Sequence, residues 1–263
     1  MRHNRIKQSL QAGQTSVGCW LTLGSPAVAE AMSHCGFDWL LIDAEHGPNG
    51  IADIAAQLRA VDAANANGAT IASAVRVQAN DAALVKRAMD CGAQTIMFPA
   101  IDSVAEATAA IAATRFPRHG NGGVRGVAGL VRAGRFGLDP DYTSQANQNA
   151  CAVLQIETAL GLQNVEGIAA LDGADCLFVG PADLSASMGY LGQMDHPEVL
   201  VAIERVLTVC QRAGKAAGIF AGSAEEAAHY RDRGFAMIAL HSDVAWLTRG
   251  AKHALAHYTG VSA

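Results

Sequence analysis

The segment LLIDAEHGPNG, Leu40–Gly50, carries an apolar run straight into three titratable side chains, Asp43, Glu45 and His46, and then breaks on Gly47, Pro48, Asn49 and Gly50. Its apolar residues do not alternate with polar ones. That pattern reads as a strand buried on both faces, as in a parallel sheet covered by helices on either side. The position of the titratable groups, where such a strand ends, is the second clue.

Seven other segments repeat the pattern. VGCWLTL, DWLLIDAE, TIASAVRV, QTIMFPAI, CAVLQIET, DCLFVGPA, KAAGIFAG and AMIALHSD are the expected strands. Between them lie AVAEAMSHCG, IADIAAQLRAVDAAN, DAALVKRAMDCG, SVAEATAAIAATR, LQNVEGIAAL, PEVLVAIERVLTVCQRAG and SAEEAAHYRDRG, of helical composition. Gly36, Gly92, Gly214 and Gly234 sit where helices end, and Asp81, Ser103 and Ser223 are expected N-caps. Eight strand–helix units in 263 residues match an α/β fold of the (β/α)8 barrel type, with a doubly wound open sheet as the alternative. No Pro/Gly/Ser-rich linker divides the chain, so residues 1–263 are expected to form a single domain.

Composition narrows the function. With 51% hydrophobic and 16% charged residues the chain can bury one large core, and its net charge of -5 carries no basic run. Nucleic acid and anionic membrane surfaces are therefore unexpected partners, and small molecules are expected ones. The N-terminal MRHNRIKQSLQAG leads into no apolar signal segment, and no stretch approaches the roughly 18 apolar residues of a membrane span. Six well-separated cysteines without a CxxC pair read as reduced core residues of a cytoplasmic protein.

One gap breaks the rhythm. From Phe116 to Ala150 runs a long connection containing HGNGGVRGVAGLVRAGRFG. Its glycines do not fit GxGxxG and follow a helix instead of a strand, so a dinucleotide site is not expected. A basic loop with Arg125, Arg132 and Arg135 beside an active site is the functional reading; solvated arginines are the other.

In a barrel, catalytic groups project from the C-terminal ends of strands. Asp43, Glu45 and His46 satisfy that rule after the second strand, Arg76 after the third, Gln155 and Glu157 after the fifth, and Asp183 after the sixth. Each has a plain structural alternative, as a helix cap or a rim ion pair. Two carboxylates on adjacent strands without nearby His or Cys suit a hard cation such as Mg²⁺ or Mn²⁺. None of Lys7, Lys86, Lys215 and Lys252 falls at a C-terminal strand end, so a Schiff base lacks its nucleophile and a metal must polarise the carbonyl.

DAEHGPN, the arginine of SAVRV, LQIET and VGPADLSASMGY together resemble the HpcH/HpaI aldolases, metal-dependent (class II) pyruvate aldolases of the 4-hydroxy-2-oxoheptanedioate and 2-keto-3-deoxy-sugar-acid type. The resemblance runs from GCWLTLGSP to HSDVAW. It implies a (β/α)8 barrel cleaving 4-hydroxy-2-oxo acids to pyruvate and an aldehyde through a pyruvate enolate. It implies that Glu157 and Asp183 bind Mg²⁺, Mn²⁺ or Co²⁺, with no organic cofactor, that Arg76 stabilises the enolate and that His46 is the general base. Asp43 belongs to the same motif, and Asp90 matches a residue supplied to the histidine by a neighbouring subunit. Gln155 and the backbone at Gly180, Pro181 and Ala182 are expected to contact pyruvate.

Phe220 falls where the family places an apolar residue facing the aldehyde, and its ring leaves less room for a long dicarboxylate semialdehyde. A homohexamer is implied, with WLTRGAKHALAHY as a C-terminal helix exchanged between neighbours. The competing readings are a related acyl-CoA or citramalyl-type C–C lyase, which would need a basic surface at the mouth, and a noncatalytic barrel that binds a small acid.

Overall fold

A computed structural model describes residues 3–120 and 122–260. Eight strands, β1 (Ser16–Leu21), β2 (Trp39–Asp43), β3 (Ala72–Arg76), β4 (Thr95–Phe98), β5 (Cys151–Ile156), β6 (Ala174–Val179), β7 (Ala216–Ala221) and β8 (Met237–Ser242), close into a barrel in chain order. All eight neighbouring pairs are parallel, including β8 with β1. The open doubly wound sheet is thereby excluded, and all eight expected strands are present.

Two cores follow from the two faces of each strand. Trp39, Leu41, Ala74, Met97, Val153, Cys176, Phe178, Met237 and Ala239 fill the barrel interior. Leu40, Ile42, Val75, Ile96, Leu154, Leu177 and Ile219 point outward and pack under the helices. Large interior side chains require small partners: a Cβ on Gly18 would lie 2.0 Å from the Trp39 ring, and one on Gly218 would lie 2.4 Å from that of Phe178. The interior is thus a packed layer stack, and only its ends are open to chemistry.

The covering helices are α1 (Arg5–Gln11), α2 (Pro26–Ser33), α3 (Ile51–Ala66), α4 (Ala82–Asp90), α5 (Val104–Ala113), α6 (Tyr142–Asn149), α7 (Ala159–Gln163), α8 (Val165–Ala169), α9 (Pro181–Ser187), α10 (Pro197–Ala213), α11 (Ala224–Arg233) and α12 (Asp243–Thr259). Asp81, Ser103 and Ser223 cap α4, α5 and α11 through their side chains, as expected. The expected helix LQNVEGIAAL is instead two short ones, because Asn164 ends α7 and begins α8 while its amide donates to the Asp102 and Leu160 carbonyls.

The N-terminal segment also does more than its composition suggested. Ile6 and Leu10 of α1 pack onto the interior cluster, and Asn4 donates to Thr95 Oγ1 and the Asn149 carbonyl. α1 therefore plugs the barrel at the N-terminal ends of its strands. Of the cysteines, Cys19, Cys151, Cys176 and Cys210 are buried, Cys91 is half-buried, and Cys35 departs from the core reading by being exposed. No helix among the described residues is long and apolar enough to cross a membrane.

Candidate active site

β2 ends at Asp43, and the loop behind it is held by contacts that dictate its residue types. A Cβ on Gly47 would approach the Asp43 carbonyl oxygen to 2.4 Å, so the chain turns there only without a side chain. Asn49, buried, donates to that same carbonyl at 2.6 Å and accepts from Gln57 at 2.6 Å. The backbone N–H groups of Glu45 and His46 donate to Asp43 Oδ1. The turn thus projects Glu45 and His46 at the rim, Glu45 half-buried and His46 exposed.

Asp43 is the anchor of the site. It takes Nε and Nη2 of Arg76 on its two oxygens, both at 2.8 Å, with both side chains almost wholly buried. Nη1 forms the edge of the guanidinium that Asp43 does not take; it pairs with Glu45 Oε2 at 2.8 Å and donates to Gln155 Oε1 at 3.4 Å. The guanidinium carbon sits 4.1 Å from the centre of the Trp20 ring, which closes the remaining face. A planar ion held by a fork and a ring has little freedom, which is what an arginine needs in order to act at a fixed point.

Glu157 lies across the mouth. Gln155 Nε2 donates to its Oε2 at 2.6 Å, and the N–H of Ala100 donates to its Oε1 at 2.8 Å. Ala100 adopts a left-handed φ of 48° to make that bond. Burial pushes the Glu157 carboxyl up to about 7, the Ala100 bond opposes the shift, and the charges of Asp183 and Glu45 add to it. Burial likewise raises Glu45, with Arg76 and His46 opposing. Gly180 forms a cradle for the carboxylate: a Cβ there would meet Glu157 Oε2 at 2.6 Å.

Asp183 is exposed in the first turn of α9, whose N-cap is Gly180, so it is not the N-cap that its sequence context allowed. Gly180, Pro181 and Ala182 stand together where β6 passes into α9. Phe220 is half-buried on β7, its ring 5.2 Å from that of Trp20.

Asp43 and Glu45 pair with the one guanidinium, while Asp183 adds its charge to Glu157 and Glu45, so the mouth holds negative charge that Arg76 alone does not compensate. Such a donor set fits a hard divalent cation, with Glu157 and Asp183 as protein ligands and water or substrate oxygens completing the shell. No cluster of three or more His, Cys, Asp or Glu side chains at metal-binding spacing occurs among the described residues. A closed all-protein metal cage is therefore not what this mouth offers.

Four expected residues, Asp90, Arg125, Arg132 and Arg135, fall elsewhere. Asp90 ends α4 at the opposite end of the barrel, where it binds Arg125 at 2.7 Å. Arg125 is buried, donates to Tyr142 and lies over the Phe116 ring, while Arg132 pairs with Asp62 and donates to the Cys91 carbonyl. Arg125, Arg132 and Arg135 line a cavity of about 950 Å³ with Ser73, Gln94 and Ala150, residues at the N-terminal ends of β3, β4 and β5. Within this chain, then, the basic loop is not beside the mouth. A helix that ends at the bottom of the barrel is followed by a loop at the bottom, and the sequence pattern did contain that information. The loop arginines that would supply the basic surface for an acyl-CoA substrate therefore lie, within this chain, at the other end of the barrel from the mouth. Of the four lysines, Lys7 and Lys215 are engaged with the Ala150 and Leu171 carbonyls, Lys86 lies within α4 and Lys252 within α12, so none stands on a C-terminal strand end.

Sequence reasoning missed Trp20, Asn49 and Ala100. Trp20 carried a signal, being the residue near the end of β1 that faces inward. Ala100 acts through its backbone N–H and carried none.

The family model for HpcH/HpaI aldolase/citrate lyase matches residues 16–249. The chain is 49% identical over 253 residues to a hydroxypyruvate/pyruvate aldolase of Paraburkholderia phytofirmans, covering 96% of each chain. It is 39% identical to a 5-keto-4-deoxy-D-glucarate aldolase of Salmonella arizonae, over 92% of this chain and 91% of that one. A crystal structure of a HpcH/HpaI aldolase/citrate lyase family protein from Burkholderia cenocepacia superposes with a TM-score of 0.94 at 47% identity, over 97% of this chain and 99% of the other. With a closed eight-stranded barrel, a family model spanning most of its length and relatives near half identity, this chain belongs to the HpcH/HpaI aldolase/citrate lyase family.

Proposed function

We propose that the chain is a divalent-metal-dependent pyruvate aldolase, an aldehyde-lyase that reversibly cleaves 4-hydroxy-2-oxo acids to pyruvate and an aldehyde. The observation that carries this reading is the convergence of Glu157 and Asp183 with the fixed guanidinium of Arg76 at one barrel mouth. The names of the relatives, which specify pyruvate or hydroxypyruvate and a deoxy sugar acid, support it.

Glu157 and Asp183 would hold Mg²⁺ or Mn²⁺, which when bound supplies a Lewis acid to the keto oxygen. Asp43 does not itself meet the substrate; by occupying Nε and Nη2 it aims the Nη1 edge of Arg76 at the place where enolate charge collects. Gln155 spans Arg76 and Glu157 and fixes their separation. The segment Gly180–Ala182 receives the pyruvate carboxylate.

In the cleavage direction His46, at the rim, takes the proton of the C4 hydroxyl. The C3–C4 bond then breaks, its electron pair passing to C3 and the C2 oxygen as the pyruvate enolate, while C4 leaves as the aldehyde. Protonation of C3 completes pyruvate, and synthesis is the same path reversed. Phe220 and Trp20 form the apolar wall beside the aldehyde, which favours short acceptors over a long dicarboxylate semialdehyde.

Asp90 would serve His46 from another copy of the chain, in a homo-oligomer, with a hexamer as the expected form. The exposed Leu247, Leu255 and Tyr258 of α12 are consistent with that helix being covered by a neighbour.

The test is aldol synthesis from pyruvate and glycolaldehyde by chelator-treated protein with and without added Mg²⁺ or Mn²⁺. Product only with added ion, and none from Glu157→Gln under the same conditions, is the expected result. Equal product from chelated and loaded protein would contradict the reading.

A further inference from the structure

Among the described residues, four non-glycines have a left-handed φ: Ala100, Arg135, Phe136 and His241. Arg135 and Phe136 lie at the bottom of the barrel, and the conformation of Ala100 is accounted for by its bond to Glu157. His241, with φ 62°, is the other at the mouth. A side chain is held in that conformation at a free-energy cost, so its surroundings must fix it there.

Met237 and Ala239 of β8 face the barrel interior, and the pairing with β1 then shifts register, from Gly18 opposite Ala239 to Trp20 opposite Ser242, so that His241 lies in the irregularity at the C-terminal end of the strand. Its ring stands edge-on to Phe220 at 6.1 Å, Phe220 stands edge-on to Trp20 at 5.2 Å, and Trp20 lies under Arg76 at 4.1 Å. A continuous row of rings thus connects His241 to the guanidinium. On its other side the His241 ring meets Trp246 of α12 at 5.9 Å.

The row carries polar atoms without protein partners. Among the described residues neither Nε2 of His241 nor Nε1 of Trp20 has a hydrogen bond, although both atoms are buried. Trp246 Nε1, at the far end of the row, is likewise unpartnered; buried ring nitrogens are ordinarily satisfied, so orphans gathered along one wall of a site point to a ligand that completes those nearest the mouth. Burial and the charge of Arg249 hold the imidazole below its ordinary pKa, with Glu226 opposing. A neutral imidazole both donates and accepts, as a hydroxyl does, and offers no charge to a carboxylate.

We propose that His241 is a specificity-determining residue that hydrogen-bonds a hydroxyl on the aldehyde half of the substrate. The site then prefers short hydroxylated aldehydes to apolar ones of the same size. This rests on the aldolase reading above and deepens it by assigning the acceptor class. Phe220 supplies the apolar contact common to both kinds of aldehyde, and His241 makes the distinction. Discrimination arises because an acceptor without the hydroxyl leaves the imidazole unpaired.

Glycolaldehyde and propanal differ by a hydroxyl in place of a methyl and make a near-isosteric pair. The experiment measures kcat/KM for both with pyruvate as donor, in wild-type protein, His241→Gly and His241→Asn. Glycine adopts the left-handed backbone freely, so His241→Gly removes the imidazole without backbone strain; asparagine tolerates that backbone and keeps a hydrogen-bonding side chain. The expected result is a glycolaldehyde-to-propanal ratio about tenfold lower in His241→Gly than in wild type, the size of one net hydrogen bond, with part of the preference restored in His241→Asn.

Exchange of the pyruvate methyl protons, which needs no aldehyde, is measured alongside and is expected to persist in both variants. An unchanged ratio, or an equal fall for both aldehydes, overturns the proposal. Loss of exchange in the variants overturns it as well, since His241 would then act on the pyruvate half. Absence of exchange in the wild-type protein is a different failure, that of the aldolase reading, and takes the proposal down with it.

Discussion

Arg76 has almost no exposed surface, and its charge is matched by Asp43 on one edge and Glu45 on the other. Truncation would leave the Asp43 carboxylate buried without a counter-charge. Arg76→Ala is therefore expected to destabilise the fold by roughly 3–5 kcal/mol, measured by urea denaturation, and to abolish turnover. Glu157 gives a pH signature with a defined sign. An acid whose folded pKa is raised binds its proton more tightly folded than unfolded, so its contribution is most favourable below 4.5 and is lost as pH rises to about 7. The loss amounts to about 3 kcal/mol at about 1.4 kcal/mol per pKa unit. Thermal midpoints of chelated protein should fall across that window, relative to Glu157→Gln, and recover with Mg²⁺; parallel curves for the two proteins would refute the assignment. His46 is exposed at the rim and is not one of the residues proposed to hold the ion. His46→Ala is accordingly expected to lower kcat by about 10²–10⁴ while calorimetry shows divalent-ion binding unchanged.

At the scale of elements, the site depends on how strand ends and the turns behind them are buttressed. Gly180, where β6 meets α9, leaves the space that Glu157 occupies. Gly180→Ala should displace the carboxylate and weaken Mg²⁺ affinity by about tenfold or more, read by calorimetry, with little change in far-UV circular dichroism. The strand ends bearing Asp43, Arg76, Gln155, Glu157 and Asp183 were legible in the sequence because packing alone seldom places a polar residue at the end of a buried apolar run. The buttresses were not. Asn49 sits in a turn-forming run and reads as turn chemistry, yet it is buried and binds the backbone of Asp43. Ala100 contributes an N–H that every non-proline residue possesses. α1 and α6 also escaped, α1 in a polar terminal segment and α6, TSQANQN after Tyr142, in a stretch without an apolar period.

For the whole molecule, the closed barrel sets Asp90, Arg125 and the 950 Å³ cavity at one end and the carboxylates at the other. The family resemblance assigns Asp90 to a neighbour's histidine, a statement about an assembly that side-chain pattern in one chain cannot express. It has a direct consequence: Asp90→Asn and His46→Ala proteins, each impaired alone, should regain activity when mixed and allowed to exchange subunits, because some sites then combine intact His46 with an intact Asp90. No recovery would place Asp90 in a structural role beside Arg125. Whether Glu157, Asp183 and Arg76 form a pyruvate-enolising site is decided by NMR of pyruvate in D₂O with metal-stripped protein. Methyl protons should exchange when Mg²⁺ or Mn²⁺ is added and stop exchanging with chelator. Exchange indifferent to the ion, or none under any condition, would contradict that assignment.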